Sequence, residues 1–545
     1  MKRKWYLVGV LIIILLVTLT ACGNDVGKDE NIEFSDVTFK KYVLKALGKN
    51  ANESITYEEA EKLEKLNIDR SYRTDYTFLC PSGWRGANTA AAGVITMDIS
   101  DIKYFTGLKE LIIDNTVNDR IMGWENIERC PKLEKIKWNY FEGGQHVAFG
   151  SKLLFDIVKQ LPALKTLDLS SGAVSDSTIS QIKKINSSIN VIENNDDSSS
   201  IIMGLNLGDI DYVYDTKEKY IIKDTTLIIA ECKTDKECYD ILDSIKADNI
   251  NTVFITSGRA GSKSAPIVLD CEKLLKFTKL EALYISKRYQ FSIDMTFKNL
   301  DKLANLEYLK TLCIFGDFDG SELVKLNNLD TISIRGNREC VDISGMNNIK
   351  IASVMDDVKL PSSVEHVTTM APELLNGLKN LKSVADCGVD SESNDYIKSN
   401  FNLKYIYCFR VSNDYIDLSG IKNAKNLEYL YIKNKVKNYS SISELTNLRV
   451  VSLVGDLSEG LNIKKMSSED SLSYLDISAN PDRYSVDEIR NTFGDSNMSM
   501  LQIQYGLPIM RDMYKKGITN SFILYCQNSK DSSYKQQFMD TFGKG

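Results

Sequence analysis

Leu427-Glu428-Tyr429-Leu430-Tyr431-Ile432 decides how this chain is read, because its first, fourth and sixth places are apolar and the phrase keeps returning. It recurs as Leu108/Leu111/Ile113, Leu133/Ile136/Trp138, Leu164/Leu167/Leu169, Ile250/Val253/Ile255, Leu280/Leu283/Ile285, Leu309/Leu312/Ile314 and Leu329/Ile332/Ile334. It continues as Leu381/Val384, Leu403/Ile406/Cys408, Leu448/Val451/Leu453, Leu472/Leu475/Ile477 and Met498/Leu501/Ile503. A recurrence every 20 to 31 residues marks a solenoid, whose units cannot bury an apolar face alone and must stack on their neighbours. Alternation from Tyr429 onward makes each phrase a strand, with Leu430 and Ile432 inward and Tyr429, Tyr431 and Lys433 outward.

One solenoid can absorb all 545 residues, so the length does not demand several domains. Apolar residues at 43% can fill a continuous core, and 26% charged residues suit a soluble surface. The net charge is -7, and without Lys2, Arg3 and Lys4 it falls to about -10, which argues against nucleic acid as a partner. The eleven cysteines are scattered without a C-x-x-C pair, so they read as structural thiols, with Cys232/Cys238 the one local pair to test.

Residues 1–21 have the form of a secretion signal: a basic start, an uncharged apolar run from Trp5 to Leu19, then small residues. Leu19-Thr20-Ala21-Cys22 resembles the lipobox of bacterial lipoproteins. That resemblance implies cleavage before Cys22, lipidation (palmitate among the acyl chains) on it, and a place on the extracytoplasmic face of the cell membrane. Residues 22–30 then form a polar tether.

Residues 31–62 read as two helices. Phe39, Tyr42, Val43, Ala46 and Leu47 have helical spacing, and Thr56 with Glu59 offers a capping box for the second. Asp36 to Ile68 resembles the helical cap that precedes the repeats of internalin-like leucine-rich repeat proteins of Gram-positive bacteria. The resemblance implies an α/β horseshoe with a parallel concave sheet and a mixed helical and irregular convex side.

Repeats are expected over 63–193, with a loop inserted at 69–93, and again over 224–510. The polar stretch opening 194–223 is a hinge or an insertion, an insertion within one array being preferred, and 511–545 is a C-terminal cap. The long unit from Trp138 to Leu164 has room for a true helix, whereas Leu309 to Leu329 leaves room only for a turn.

No serine-centred elbow, histidine-glutamate zinc motif or glycine-rich phosphate loop is present, and the two histidines, His146 and His366, lie in weakly patterned stretches. Gly316 to Glu322 echoes a calcium loop but is better read as a repeat turn. No cofactor and no metal are expected. The outward aromatic positions Tyr405, Tyr407, Phe409, Tyr429, Tyr431 and Tyr474, with Lys433, form the candidate binding surface. The expected function is non-catalytic capture of a protein ligand on the concave face. Two alternatives are recognition of cell-wall glycan by the tyrosines and an envelope hydrolase with paired carboxylates.

Overall fold

The computed structural model describes residues 27–68, 97–113, 121–138, 152–170 and 176–193. It further describes 219–453 apart from 224, 259, 261–264, 288–292, 337–339, 355–357, 387–394, 409–414, 433 and 449, then 474–476, 500–502 and 523–525. The expected signal peptide, Cys22, the inserted loop at 69–93, Phe409, Lys433, His146 and most of the C-terminal cap lie outside the described residues.

Two helices open the described chain. In α1 (Val37–Ala46), Asp36 is the N-cap and accepts from the Phe39 amide at 2.8 Å. In α2 (Tyr57–Lys62), Thr56 and Glu59 form the reciprocal capping box, each side chain accepting from the other's backbone amide.

Strands β1 (Lys65–Ile68), β2 (Glu110–Ile113), β3 (Lys135–Trp138), β4 (Thr166–Asp168) and β5 (Asn190–Ile192) then make a five-stranded parallel sheet. The fourth place of the phrase runs across it in register as Leu66, Leu111, Ile136, Leu167 and Val191. On the return side are α3 (Lys152–Gln160), which is the helix expected between Trp138 and Leu164, and α4 (Asp176–Ile185).

A second sheet has fifteen strands. It begins with β6 (Tyr220–Lys223), antiparallel to β7 (Thr226–Cys232), and α5 (Asp235–Ser244) follows. From β7 onward every pairing is parallel: β8 (Thr252–Ser257), β9 (Ala282–Lys287), β10 (Thr311–Phe315), β11 (Thr331–Arg335), β12 (Ile351–Val354), β13 (His366–Thr369) and β14 (Ser383–Asp386). The ladder continues through β15 (Tyr405–Cys408), β16 (Tyr429–Ile432), β17 (Val450–Leu453), β18 (Tyr474–Asp476), β19 (Met500–Gln502) and β20 (Ile523–Tyr525). Among the described strands none pairs across from the first sheet to the second.

Leu283, Leu312, Ile332, Ala352, Val367, Val384, Ile406, Leu430 and Val451 stand side by side across this sheet and belong to one continuous apolar core. Strands β5 and β6 were not anticipated, and neither were β12 and β13. The phrases of the last two begin at Ile349 and Val364, put Ala352 and Val367 at the fourth place, and lie 15 residues apart, below the expected minimum of 20. A unit that short has no room for a helix, so the return side there is a two-residue strand pair, Val341–Asp342 with Val358–Lys359. Leu309 to Leu329 holds a four-residue helix, Gly320–Leu323, capped by Asp319, whose side chain accepts from the Ser321 amide at 2.8 Å. The calcium-like stretch is therefore a capped turn of the repeat.

Candidate ligand face

Because successive side chains of a strand alternate, the residues between the core positions share the opposite face of the second sheet. One row of that face runs Ala282, Thr311, Thr331, Ile351, His366, Ser383, Tyr405, Tyr429; the next runs Tyr284, Cys313, Ser333, Ser353, Thr368, Ala385, Tyr407, Tyr431. Parallel, in-register pairing sets like residues in line, so Tyr405 stacks on Tyr429 at 4.3 Å between ring centroids and Tyr407 on Tyr431 at 4.5 Å. The same geometry stacks Phe254 on Tyr284 at 4.4 Å near the start of the sheet. Interplanar angles of 7°, 3° and 7° show that the strand spacing dictates face-to-face contact.

The tyrosines point away from the sheet's own core, as the alternation requires, but the expectation that they meet solvent is corrected. Tyr405, Tyr407, Tyr429 and Tyr431 are only 1%, 5%, 2% and 9% exposed. They belong to the apolar cluster built by the first block, together with Phe39, Tyr42, Leu66 and Phe105. The chain's own beginning therefore covers this face. For Tyr474 the described feature is its strand; Phe409 and Lys433 lie outside the described residues.

Polar contacts fasten that cover. Lys41 on α1 reaches Asp330 at 2.8 Å and Thr311 at 3.2 Å. Lys382 donates to the Ser35 carbonyl at 2.8 Å, Asn52 to the Glu307 carbonyl at 2.9 Å, and Lys404 pairs with Asp98. Burial works against the charge of Asp98, but Lys404 and the bonds from Lys404 and Ser100 outweigh it and hold the carboxyl below its usual range. Lys404 responds in the opposite sense: burial opposes its charge, and Asp98 raises it above the usual lysine value.

Beside this pair sits a buried trio. His366 Nδ1 lies 2.9 Å from Ser383 Oγ, and His366 Nε2 lies 3.9 Å from Asp36 Oδ2. Asp36 also accepts from the backbone amides of Phe39 and Asp98 at 2.8 and 2.9 Å. Burial pushes Asp36 up to about 7 and His366 down to about 4, so near pH 6 both are neutral.

The trio carries the residue types of a serine hydrolase, yet its geometry does not support that chemistry. Ser383 is fully buried, and 3.9 Å is too long for a histidine-carboxylate hydrogen bond. Lifting the first block away would expose Ser383 and remove Asp36 in the same motion. The three lie far apart in sequence, so only the long-range docking of α1 reveals them. Among the described residues no group of three or more histidine, cysteine or carboxylate side chains could hold a metal ion. Cys232 and Cys238 are buried free thiols, with Cys238 within hydrogen-bonding reach of Cys232.

No family model matches the sequence, and no curated protein matches it. Among solved structures, an internalin (InlF) of Listeria monocytogenes is 16% identical, over 81% of this chain and 95% of that one, with a TM-score of 0.25. A leucine-rich repeat protein of Leptospira interrogans is 12% identical over 77% and 97%, with a TM-score of 0.30. PEPR1, solved with AtPEP1, is 13% identical over 92% of this chain and 98% of that one, also with a TM-score of 0.30. At such scores the likeness carries no weight for function, and the repeat fold rests on the strand register itself.

Proposed function

We propose that this chain is a non-catalytic leucine-rich repeat protein of the bacterial envelope, anchored by lipid on Cys22 at the extracytoplasmic face and capturing a protein ligand on the concave face of its second block. In this reading the fifteen-stranded sheet is a horseshoe, and residues 31–62 are a helical cap that also closes it. The ligand surface is the double tyrosine stack, which becomes available when the first block moves aside.

The observation that carries this reading is the makeup of the closure. Stacked aromatics are covered by a layer held in part through lysine side chains, on carboxylates and on a backbone carbonyl. Interfaces between domains that carry such polar joints beside their apolar contacts resemble transient ones, for which relative motion is the ordinary expectation. Buried tyrosine, in turn, is the residue type that dominates binding once uncovered.

The test compares three forms of the full chain: wild type, Lys382→Ala/Lys404→Ala, and that double variant with Tyr407→Ala/Tyr431→Ala added. Opening is followed by hydrogen exchange of β15 and β16, and capture by affinity enrichment from cell-envelope extract. Faster exchange with gained capture, lost again on removing the tyrosines, is the expected result. Capture that ignores both pairs of substitutions would show that the ligand binds elsewhere and that the tyrosines are fixed packing.

A further inference from the structure

A cleft enclosing about 330 Å³ of empty space, part of it open to solvent, lies where the N-terminal segment rests on the start of the second sheet. Lys41, Leu44, Lys49 and Ala51 line it from the N-terminal side. Glu281 and Lys310, the residues just ahead of β9 and β10, line it from the other. Two of the three lysines are already engaged: Lys41 holds Asp330 and Thr311, and Lys49 holds Glu59 at 2.5 Å and the Ser54 carbonyl at 2.6 Å.

Glu281 and Lys310 are not. Their backbones are joined, the Lys310 amide donating to the Glu281 carbonyl at 2.9 Å. Yet the carboxylate and the ammonium make no ion pair or hydrogen bond among the described residues. At the same place of other repeats, just ahead of the strand, opposite charges on neighbouring strands do close. Lys109 meets Glu64 at 2.5 Å, Lys165 meets Glu134 at 2.7 Å, and Lys350 and Lys382 both meet Glu365, at 3.1 and 2.6 Å. The rim departs from that habit where the cleft lies.

Both side chains are half-buried. Burial raises Glu281 above its ordinary value, although Lys41 and Lys45 draw it down, and lowers Lys310 below its own, although Asp330 draws it up. Each charge is thus held partly out of water with no opposite charge in contact, a cost that a ligand of complementary charge removes. A ligand that meets both must carry a cation and an anion close together. Side chains rooted on strands roughly 4.8 Å apart, with stems long enough to splay, leave room for two charge-assisted hydrogen bonds of roughly 2.8 Å and a one-carbon link between them. An α-amino acid has that form. Leu44, Ala51 and Ala282 give the cleft an apolar wall for a small side chain.

We infer that the cleft is a binding site for a small zwitterion of the α-amino-acid class, with the ligand's ammonium on Glu281 and its carboxylate on Lys310. The site needs the N-terminal segment seated as it is and does not need the release proposed above, so either statement can fail alone.

The test is calorimetric titration of the full chain with L-alanine, and with acetate and methylammonium, which each carry one of its two charges. L-Alanine should bind with a Kd of about 1 mM or tighter, and the two single-charge probes should be at least about tenfold weaker. Glu281→Gln and Lys310→Gln should each weaken L-alanine binding about tenfold or more while leaving the thermal midpoint near that of the wild type, since neither head group holds another residue. Should one variant fail to fold, the other carries the test. No binding of L-alanine, binding of acetate or methylammonium as tight as that of L-alanine, or a folded variant that binds L-alanine as well as the wild type would overturn the site.

Discussion

Tyr407 and Tyr431 lie on each other at 4.5 Å and at no more than 9% exposure, so removing either ring empties a filled space. Tyr431→Ala should lower unfolding free energy by roughly 3 kcal/mol, as aromatic truncations in cores do, and a urea titration measures it. Read from the sequence alone, the same change ought to leave stability nearly untouched, since strand alternation says only that the ring faces away from its own core. The buried pair Asp36 and His366 gives a second expectation. Asp36, ordinarily at 3.8, sits at about 7, so its contribution is present at low pH and is lost as pH rises through 7. His366, ordinarily at 6.5, sits at about 4, so its contribution is present at high pH and is lost as pH falls from 6.5 to 4. Between about pH 4 and 6.5 the folded chain holds one proton on Asp36 and the unfolded chain one on His366, and the two dependences cancel. Asp36→Asn should break the cancellation and uncover a fall of about 3 kcal/mol on acidifying from 6.5 to 4. Urea midpoints against pH decide it; an unchanged, flat profile would mean that His366 is not held neutral.

The strands were largely legible because each phrase fixes both its register and its inward face. From Leu280 to Ile334 the expected fourth and sixth places are the residues that pair. Strands β12 and β13 were missed because Ala352, Val367 and Thr369 blur the apolar signal in units as short as 15 residues. The helix α3 and the two caps of α1 and α2 followed from local spacing. What holds one element against the next was less visible, and Gly107 shows why. A Cβ there would sit 1.9 Å from the Glu61 carbonyl oxygen near the end of α2, so the turn before β2 touches that helix backbone to backbone. Gly107→Ala should destabilise the first block by about 1–3 kcal/mol, a loss visible as faster exchange of the amides of α2 and β1. An alanine variant with unchanged exchange would show that α2 is free to shift.

Across the whole molecule, the aromatic positions of the candidate site could be read from the sequence but their cover could not, since the covering residues come from the other end of the described chain. Lys41 to Asp330 spans 289 positions and Lys404 to Asp98 spans 306, far beyond any local pattern. An intact solenoid should also protect its thiols. In the native protein, of the described cysteines, Cys340 should react quickly with a thiol reagent while Cys130, Cys232, Cys238, Cys271, Cys313 and Cys408 wait for unfolding. Burial alone pushes Cys130 up to about 12, which suppresses its thiolate as well as its access. Mass mapping of labelled peptides checks this, and fast labelling at Cys408 would contradict the packing of β15. The closure through Lys382 and Ser35 has one more consequence, for the order of assembly. Each repeat can add to its predecessor as soon as both have emerged, but the bond to Ser35 must await a residue 347 positions later. During synthesis the N-terminal segment therefore spends most of the chain's elongation without the surface it finally rests on, and whatever chaperone accompanies the nascent chain meets that side of the first block uncovered.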